Sequence, residues 1–541
     1  MKLGVIENLW READEGALFR RIVRIDAEGV EIVYSSETSG NGADRLRRLK
    51  AAQASGPEVP AVQVAPLAGV GFAASDSAQS ETALQHVRTA VNWATELGAQ
   101  VVVVPPLFPK AAAIPEDAWG RMIRGFQTLC AEASHKGIRI AYRSPMLSRD
   151  LLQLAAQVNS PAFGVVIDTA YLVEWGMDPA AELLALGSLV QHIYLNDIHI
   201  HANDCHPGRG QVDYSAIANA LRQVGYDGWV IVQTPPTLPE LVARALSFVR
   251  YWLPELASRR RYPRIGAMSW DFKYPAREIN RVVDELLRYG LEAVQIGGDI
   301  LIDVVKHPDR GPVVRAAFED NGIEVVGLAG YRNLTAPDPA KRRANIDFIK
   351  RCLEIAWSLG TSVVATETGT YHLESDWRPV PENWSEAAWD TLHAALDEIV
   401  EVAAANQSCV ALEGYVNNIL QTPTQMTRLL ERYPGPNVQV VCDPFNYLSS
   451  QLLPVQERVT RNFLHRFEDR FVLAHLKDVD SGGAEVTTPE FGQGVFVFRP
   501  YFDFLKSHRP DLAIILEHLP SDHIPEAIRR YHAMMSETKP T

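Results

Sequence analysis

The sequence predicts an α/β protein made of two tandem (β/α)8 TIM barrels, and three observations support this prediction. The chain has 541 residues, and two barrels of about 250 residues each would use nearly all of it. Short runs rich in β-branched residues alternate with longer helical patterns in both halves, which is typical of β-α units around a parallel sheet. Eight such runs can be counted in each half.

The predicted strands of the first half are 2–7, 29–36, 61–66, 99–106, 138–144, 162–168, 190–197 and 228–234. Those of the second half are 264–270, 293–298, 324–330, 362–368, 409–414, 438–443, 471–478 and 513–518. Between them, apolar residues recur at three- and four-residue steps over Ser385–Asn406 and Asn345–Leu359, which predicts helices. Ser385 is the predicted N-cap of the first of these helices.

These patterns divide the chain into a first barrel at 1–253, a linker at 254–263 and a second barrel at 264–541. The linker reads PELASRRRYP, and a solvated helix end explains its three arginines equally well. We expect the two barrels to pack on each other, and the sequence leaves a homo-oligomer open.

Composition narrows the class of protein. The net charge is −14 and there is no arm rich in Lys or Arg, so the basic stripe of a nucleic-acid-binding protein is missing. Five unclustered cysteines argue for a reducing compartment rather than a disulfide framework. The first residues do not form a signal peptide, and no segment is apolar enough to span a membrane. We therefore expect a soluble, cytoplasmic protein.

Four chemically active residues stand at the ends of four consecutive strands in the second half. They are Glu413, Asp443, His475 and Glu517. In (β/α)8 barrels the C-terminal strand ends converge on one mouth. Three carboxylates at close range repel each other, and a divalent cation relieves that repulsion. This ligand set predicts one metal ion, Mn²⁺ first, with Mg²⁺ or Co²⁺ as alternatives.

The segments ALEGY, VCDPFNY, AHLKD and ILEH around these residues resemble the xylose-isomerase-like TIM-barrel superfamily, most closely its sugar phosphate isomerase/epimerase branch. The resemblance extends over about 264–535 and includes GYRNLTAPDPAKRR, ATETGT and the FGQG turn. It implies one Mn²⁺-type ion bound by Glu413, Asp443, His475 and Glu517. It also implies that the two glutamates serve as acid and base, as in the epimerases of this family.

The first half has lost three of these four residues. The corresponding positions are, in chain order, Arg143, Asp168, Tyr194 and Gln233. We expect Arg143 to pair with Asp168 and to replace the metal electrostatically. The first barrel is therefore predicted to be a degenerate copy whose metal ligands are lost.

One loop of the first half has a metal-like composition. It reads DIHIHANDCHPGRG and contains His199, His201, Asp204, Cys205 and His206. Its residues lie on a single loop instead of converging from several strands, and GRGQVDY resembles the ordinary turn after strand seven. We prefer the interpretation of surface histidines, with a metal site as the alternative.

The site predicts a sugar isomerase or epimerase that acts through an enediolate stabilised by the metal. Glu413 and Glu517 would remove a proton from one face of a ketose or keto-polyol and return one to the other. Trp270 is expected to wall the pocket. The predicted substrate-hydroxyl contacts are Glu367, His372, Asn446, Lys477 and Asp478.

Other functions share parts of this pattern. A dehydratase or lyase on a keto-sugar begins with the same proton abstraction, so it stays as the main alternative. A nuclease of the same fold is disfavoured, because Asn446 stands where those enzymes have a further histidine and because the chain is acidic. A non-catalytic sugar-binding role stays open for the first barrel. Three carboxylates and one divalent ion leave a formal charge of about −1, which favours an uncharged substrate over a sugar phosphate.

Overall fold

The structure is a computed structural model of the chain. It describes residues 1–7, 15–35, 42–54, 56–65, 67, 69–108, 114–144, 146–199, 202–205, 207–235, 239–256, 262–480 and 487–537, with the backbone alone at 202–204, 239 and 240. The chain divides into two compact units, Met1–Arg259 and Arg260–Thr541. This division lies inside the segment interpreted as a linker, of which 257–261 fall outside the described residues.

Eight parallel strands close the first unit into a barrel, in which the first strand pairs with both the second and the last. Strands β1 to β8 are Lys2–Ile6, Gly29–Tyr34, Ala61–Val64, Val101–Val104, Arg139–Arg143, Phe163–Asp168, Val190–Leu195 and Trp229–Val232. The helices are Glu15–Arg24, Gly42–Gln53, Ser77–Leu97, Glu116–Ser134, Ser148–Val158, Thr169–Glu174, Pro179–Leu186, Tyr214–Val224 and Pro239–Trp252. A hairpin of Asp197–His199 and Ala202–Cys205 follows β7.

The second unit repeats this topology, and Gly266 of its first strand lies opposite Ile515 of its last. Strands β9 to β16 are Ile265–Met268, Ala293–Ile296, Glu324–Ala329, Val363–Glu367, Cys409–Glu413, Val438–Cys442, Phe471–Leu476 and Ile514–Leu516. The helices are Ile279–Arg288, Gly298–Lys306, Gly311–Glu319, Pro339–Ile355, Glu386–Ala405, Pro423–Arg432, Gln456–Phe467, Arg499–Ser507 and Ile524–Glu537. The fold predicted from the sequence, two tandem (β/α)8 barrels, is confirmed.

The interior of the second barrel is filled by packed apolar side chains. One cluster of buried side chains contains Met268, Ala293, Val326, Ala329, Ala513 and Ile515. Because side chains alternate along a strand, neighbouring strand residues point outward and pack against the surrounding helices in a larger cluster. The barrel is therefore a filled core whose polar residues gather at the strand ends.

One of the two helices predicted in detail is confirmed, and the other begins earlier than predicted. Ser385 caps the helix Glu386–Ala405, as the sequence indicates. The helix predicted to start at Asn345 begins at Pro339, because the charged run 341–343 hides the apolar period in its first turns. Among the helices in the described ranges, none is long and apolar enough to cross a membrane.

Candidate active site

The four predicted metal ligands lie together at the mouth of the second barrel. Glu413 ends β13, Asp443 follows β14, His475 lies in β15 and Glu517 follows β16. Nδ1 of His475 is 3.2 Å from Oε2 of Glu413, 3.5 Å from Oδ2 of Asp443 and 3.3 Å from Oε1 of Glu517. All four side chains are buried, and Glu517 is the most exposed at 7%. We refer to them below as the tetrad.

The tetrad fits a divalent cation. One potential ligand atom from each residue lies within 4.8 Å of all the others. Nδ1 of His475 is buried without a hydrogen-bond partner in good geometry, whereas buried polar atoms are nearly always hydrogen-bonded. Three carboxylates and one imidazole form a donor set that suits Mn²⁺, Mg²⁺ or Co²⁺. These residues would therefore hold one such ion.

The ammonium group of Lys477 is buried beside the tetrad. Nζ of Lys477 lies 2.7 Å from Oδ2 of Asp443, 2.8 Å from Oε2 of Glu517 and 3.7 Å from Oε1 of Glu413. Burial by itself would lower the pKa of this ammonium group, but the three carboxylates outweigh burial and hold that pKa well above its usual value. Lys477 is therefore charged and offsets part of the repulsion among the acids.

The carboxylates of the tetrad are not equivalent. Burial raises the pKa of Glu413. Burial also acts to raise the pKa values of Asp443 and Glu517, but the positive charges of His475 and Lys477 outweigh it and lower both. Burial would lower the pKa of His475, yet Glu517 and Glu413 raise it to about 10. Glu413 therefore holds a proton more readily than Glu517.

Two neutral donors fix Glu413. The hydroxyl of Tyr331 donates to Oε2 at 2.9 Å, and the amide of Asn446 donates to Oε1. Burial and the nearby Glu413 carboxylate hold the pKa of Tyr331 well above its usual value, so the hydroxyl keeps its proton. Our sequence analysis missed Tyr331, although it stands directly after the apolar run 324–330, at the same kind of strand end that identified the tetrad.

Other polar groups complete the mouth. Oε1 of Gln295 lies 3.0 Å from Nε2 of His475, on the side of the ring away from the carboxylates. Oε2 of Glu367 accepts a hydrogen bond from Asn418 at 2.7 Å, and burial raises the pKa of this glutamate well above its usual value. Sequence patterns do not identify Gln295 or Asn418, because one is a polar residue inside a strand and the other lies in a loop.

Trp270 and Asp271 follow the first strand of this barrel. The Trp270 ring is 40% exposed and its centroid lies 6.3 Å from that of Tyr331, which is compatible with the predicted wall of a pocket. Burial, together with the charge of Glu517, raises the pKa of Asp271 to about 8. This carboxyl group was also missed by the sequence analysis.

Two predicted substrate contacts instead hold their own loops. Nδ1 of His372 accepts backbone hydrogen bonds from Glu374 and Ser375, both at 3.1 Å. The carboxylate of Asp478 accepts four backbone N–H groups at 2.8–3.0 Å, from Val479, Gly492, Gly494 and Phe496. Local backbone groups thus satisfy these side chains, and we do not count either residue among those that face the tetrad.

The mouth of the first barrel contains the predicted ion pair. Nη2 of Arg143 lies 2.5 Å from Oδ2 of Asp168, and the guanidinium lies 5.1 Å and 5.6 Å from the ring centroids of Tyr171 and Tyr194. Burial acts to lower the pKa of Arg143, but Asp168 together with Tyr194 and Tyr171 outweighs burial and raises it. Among the described residues of this barrel, no group of His, Cys, Asp and Glu has the geometry of a metal site.

The histidine-containing loop of the first barrel forms a hairpin and a turn. His199 and Cys205 lie in the two strands of the hairpin, whereas His201 and His206 fall outside the described residues. In the turn, Asp197 accepts four backbone N–H groups at 2.9–3.1 Å, from Ile198, Gly208, Gly210 and Val212. This arrangement matches that of Asp478, so GRGQVDY is the equivalent of the turn after strand seven.

Comparison with known proteins identifies the family. The family described as xylose isomerase-like TIM barrel matches the chain twice, over residues 19–252 and 283–537. The chain is 27% identical over 173 residues to an inosose dehydratase from Geobacillus thermodenitrificans, which covers 26% of this chain and 58% of that protein. It is 28% identical over 184 residues to a 2-epi-5-epi-valiolone 7-phosphate 2-epimerase from an Actinoplanes species, which covers 33% and 66%.

Solved structures of sugar epimerases also resemble part of the chain. A D-psicose 3-epimerase from Clostridium cellulolyticum H10 matches with 17% identity and a TM-score of 0.41, over 47% of this chain and 99% of that one. A 3-keto-D-glucoside 4-epimerase from E. coli matches with 17% identity and a TM-score of 0.40, over 46% and 99%. Because the family matches both halves, and each half closes into its own barrel, the chain belongs to the xylose isomerase-like TIM-barrel family.

Proposed function

We propose that the second barrel is a divalent-metal-dependent sugar isomerase or epimerase that acts on a ketose or keto-polyol through an enediolate. The convergence of the tetrad on one buried point at the barrel mouth carries this proposal. The names of the related proteins, which are dehydratases and epimerases, support proton-transfer chemistry on a carbohydrate. Mn²⁺ is the metal that we expect, with Mg²⁺ or Co²⁺ as alternatives.

The residues of the site suit the transfer of a proton next to a carbonyl group. A bound divalent ion would supply positive charge that stabilises the enediolate. Glu413 and Glu517 approach His475 Nδ1 through separate oxygens, at 3.2 Å and 3.3 Å, from two different strands. We assign one glutamate to removing the proton from one face of the substrate and the other to returning a proton to the opposite face. Tyr331 and Asn446 hold Glu413 in position for this role.

A second candidate is elimination of water by a dehydratase acting on a keto-sugar. Lys477 favours this reaction, because its ammonium group lies 2.8 Å from Oε2 of Glu517. Once Glu517 has taken the proton next to the carbonyl it is neutral, and one of the charges that raise the pKa of Lys477 is gone. The ammonium group would then give a proton to the departing hydroxyl group, which leaves as water. The first step is common to both reactions.

We also propose that the first barrel does not bind the catalytic ion. The Arg143 guanidinium is the partner of Asp168, the one acidic residue retained at the four corresponding positions. A second positive charge at this place would be repelled.

Deuterium exchange tests the proposed reaction. The metal-loaded protein is incubated in heavy water with ketoses, keto-polyols and 3-keto-glycosides, and the recovered sugars are examined by mass spectrometry and NMR. We expect deuterium on the carbon next to the carbonyl, with an epimer or isomer for the first candidate and a dehydrated product for the second. The Asp168→Asn variant of the first barrel serves as a matched control that should exchange normally. Exchange that persists unchanged in Glu413→Gln and Glu517→Gln would contradict the proposal.

A further inference from the structure

A second group of potential metal ligands lies at the other end of β15 from the tetrad. It consists of His465, Glu468 and His508, which we call the histidine cluster. Oε1 of Glu468 lies 3.2 Å from Nδ1 of His508, and Oε2 lies 3.9 Å from Nδ1 of His465. One potential ligand atom from each residue lies within 4.8 Å of the others. His465 and Glu468 lie three residues apart at the end of one helix, whereas His508 follows another helix and is brought to them by the fold.

The cluster is held by well-packed neighbours. The ring of His508 stacks on that of Phe504, with centroids 5.4 Å apart and an interplanar angle of 12°. The ring of His465 meets that of His508 edge-on at 5.4 Å. The buried guanidinium of Arg509, next to His508, donates to the carbonyl oxygens of Glu468 and Phe471. The backbone that carries two of the three ligands is therefore already in place, which lowers the entropy cost of binding.

We propose that the histidine cluster binds a Zn²⁺-type ion at a site independent of the tetrad. Two imidazole nitrogens and one carboxylate oxygen, with water in the fourth position, are a common tetrahedral donor set for zinc. Zinc–nitrogen bonds of about 2.0–2.1 Å place neighbouring donors about 3.3 Å apart. The distance of 3.2 Å from Oε1 of Glu468 to Nδ1 of His508 already meets this value. His465 is exposed and lies 3.9 Å from the other carboxylate oxygen, so its side chain has to turn toward this pair to complete the site.

The two sites differ in the metal that they favour. The tetrad is rich in carboxylate oxygen, whereas nitrogen predominates in the histidine cluster, and nitrogen favours zinc over manganese or magnesium. The bound ion would join the ends of the helices Gln456–Phe467 and Arg499–Ser507 to the start of β15. It would therefore act as a cross-link within the second barrel and take no part in the chemistry of the tetrad.

Zinc titration of the full chain without a polyhistidine tag tests this inference. The Asp443→Asn variant is used as the parent, because it weakens zinc binding at the tetrad. We expect calorimetry and equilibrium dialysis to show about one zinc ion per chain in this parent. His465→Ala and His508→Gln should each weaken zinc binding at least tenfold. His523→Ala is a matched control and should leave binding unchanged, because His523 lies outside the cluster and pairs on the surface with Glu490 at 2.7 Å and Asp522 at 3.9 Å.

Thermal unfolding gives a second readout. Zinc should raise the melting temperature of the Asp443→Asn parent and of His523→Ala, because a ligand that binds the folded state stabilises it. The shift should be absent in the His465→Ala variant. The inference would be overturned if the parent bound no zinc, or if both cluster variants kept its stoichiometry and affinity. Neither result would bear on the deuterium-exchange test of the tetrad.

Discussion

The two barrels neutralise a buried aspartate at the corresponding strand end in different ways. In the second barrel, Asp443 lies among two further carboxylates, the His475 ring and the ammonium of Lys477. In the first barrel, Asp168 is paired directly with Arg143 at 2.5 Å. A buried carboxylate is costly unless a positive charge compensates it. A guanidinium inside the chain can supply the compensation for which the tetrad would use an external ion.

This difference distinguishes the residues that a barrel needs in order to fold from those proposed to carry out the reaction. The first barrel closes with the same strand order and without the tetrad. Closure of the barrel therefore does not depend on the tetrad. Changes at the corresponding positions in the two mouths should accordingly affect different properties.

The largest difference is expected in turnover. Glu413→Gln and Glu517→Gln keep the size of each side chain but cannot carry the proton, so each should lower kcat by about 10²–10⁴-fold. Gln233→Glu, at the equivalent of Glu517, should change kcat little. Initial rates, measured together with metal content, check this prediction. Full turnover by Glu517→Gln with its metal retained would assign the proton transfer to another residue.

The second largest difference is expected in the metal content of variants at Asp443 and Asp168. Asp443→Asn removes a charged ligand, so we expect the affinity for Mn²⁺ to fall at least about 100-fold, whereas Asp168→Asn should bind normally. Elemental analysis after dialysis measures bound manganese, and wild-type protein should hold about one Mn²⁺ per chain, at the tetrad. The opposite pattern, with ion lost from the Asp168→Asn variant, would place the metal in the first barrel.

Stability should report on the ion pair of the first barrel. Arg143→Met leaves Asp168 buried without its partner and should lower the free energy of unfolding by about 2–4 kcal/mol. The double variant with Asp168→Asn should recover most of this loss. Hydrogen exchange of strand β6 measures the opening of this barrel separately from the other. Equal stabilities of the single and double variants would show that the pair contributes little.

Lys477 gives a smaller effect of opposite sign. Its ammonium lies at ion-pair distance from Asp443 and Glu517 and repels an incoming cation. Lys477→Met should therefore tighten Mn²⁺ binding by about tenfold, or 1.4 kcal/mol. Lys341→Met is the control, because Lys341 pairs with Asp376 at the surface. Calorimetry with the metal alone decides the outcome, and weaker binding in Lys477→Met would mean that Lys477 helps to assemble the ligands.

The smallest effect concerns the charge of the substrate. With a divalent ion bound, the three carboxylates balance the charges of the ion and of Lys477, so the mouth has no net positive charge to attract a phosphate. A free ketose should therefore be favoured over its phosphate by a few-fold in kcat/KM. Arg332 does not offset this preference, because its guanidinium donates to the carbonyl of Tyr331 at 2.8 Å and packs over the Phe348 ring at 4.1 Å. Kinetics with a matched pair of substrates measure the ratio. A preference of tenfold or more for the phosphate, about 1.4 kcal/mol, would contradict the charge argument.

The sequence predicted the fold and the tetrad because both depend on short, regular patterns. Eight repeated β-α units define a barrel, and the last residue of each strand is then placed at the mouth. Tyr331 obeys the same rule and could have been found from it. Gln295 could not, because a polar residue within an apolar strand gives no indication of which side chain it will meet across the barrel.

Two of the predicted substrate contacts have side chains that hold their own loops. Asp478 and His372 have side chains suited to bind sugar hydroxyls, but nearby backbone N–H groups satisfy them first. A sequence does not show how a loop folds back on the residue that starts it. The same limit hid the histidine cluster, because His508 reaches His465 and Glu468 only after two helices have packed.

The shared turn after the seventh strand has a consequence for changing these barrels. Asp197 and Asp478 each gather four backbone N–H groups, although the first glycine of the turn lies 11 residues after Asp197 and 14 after Asp478. A Cβ atom on Gly210 would lie only 2.2 Å from Oδ1 of Asp197, and one on Gly494 only 2.6 Å from Oδ1 of Asp478. Each turn therefore requires a glycine at this position. The anchor thus tolerates loops of different length between fixed ends. The loop between the aspartate and the first glycine should therefore be exchangeable between the two barrels. Each barrel should still fold when the exchange preserves the aspartate and the two glycines of the turn.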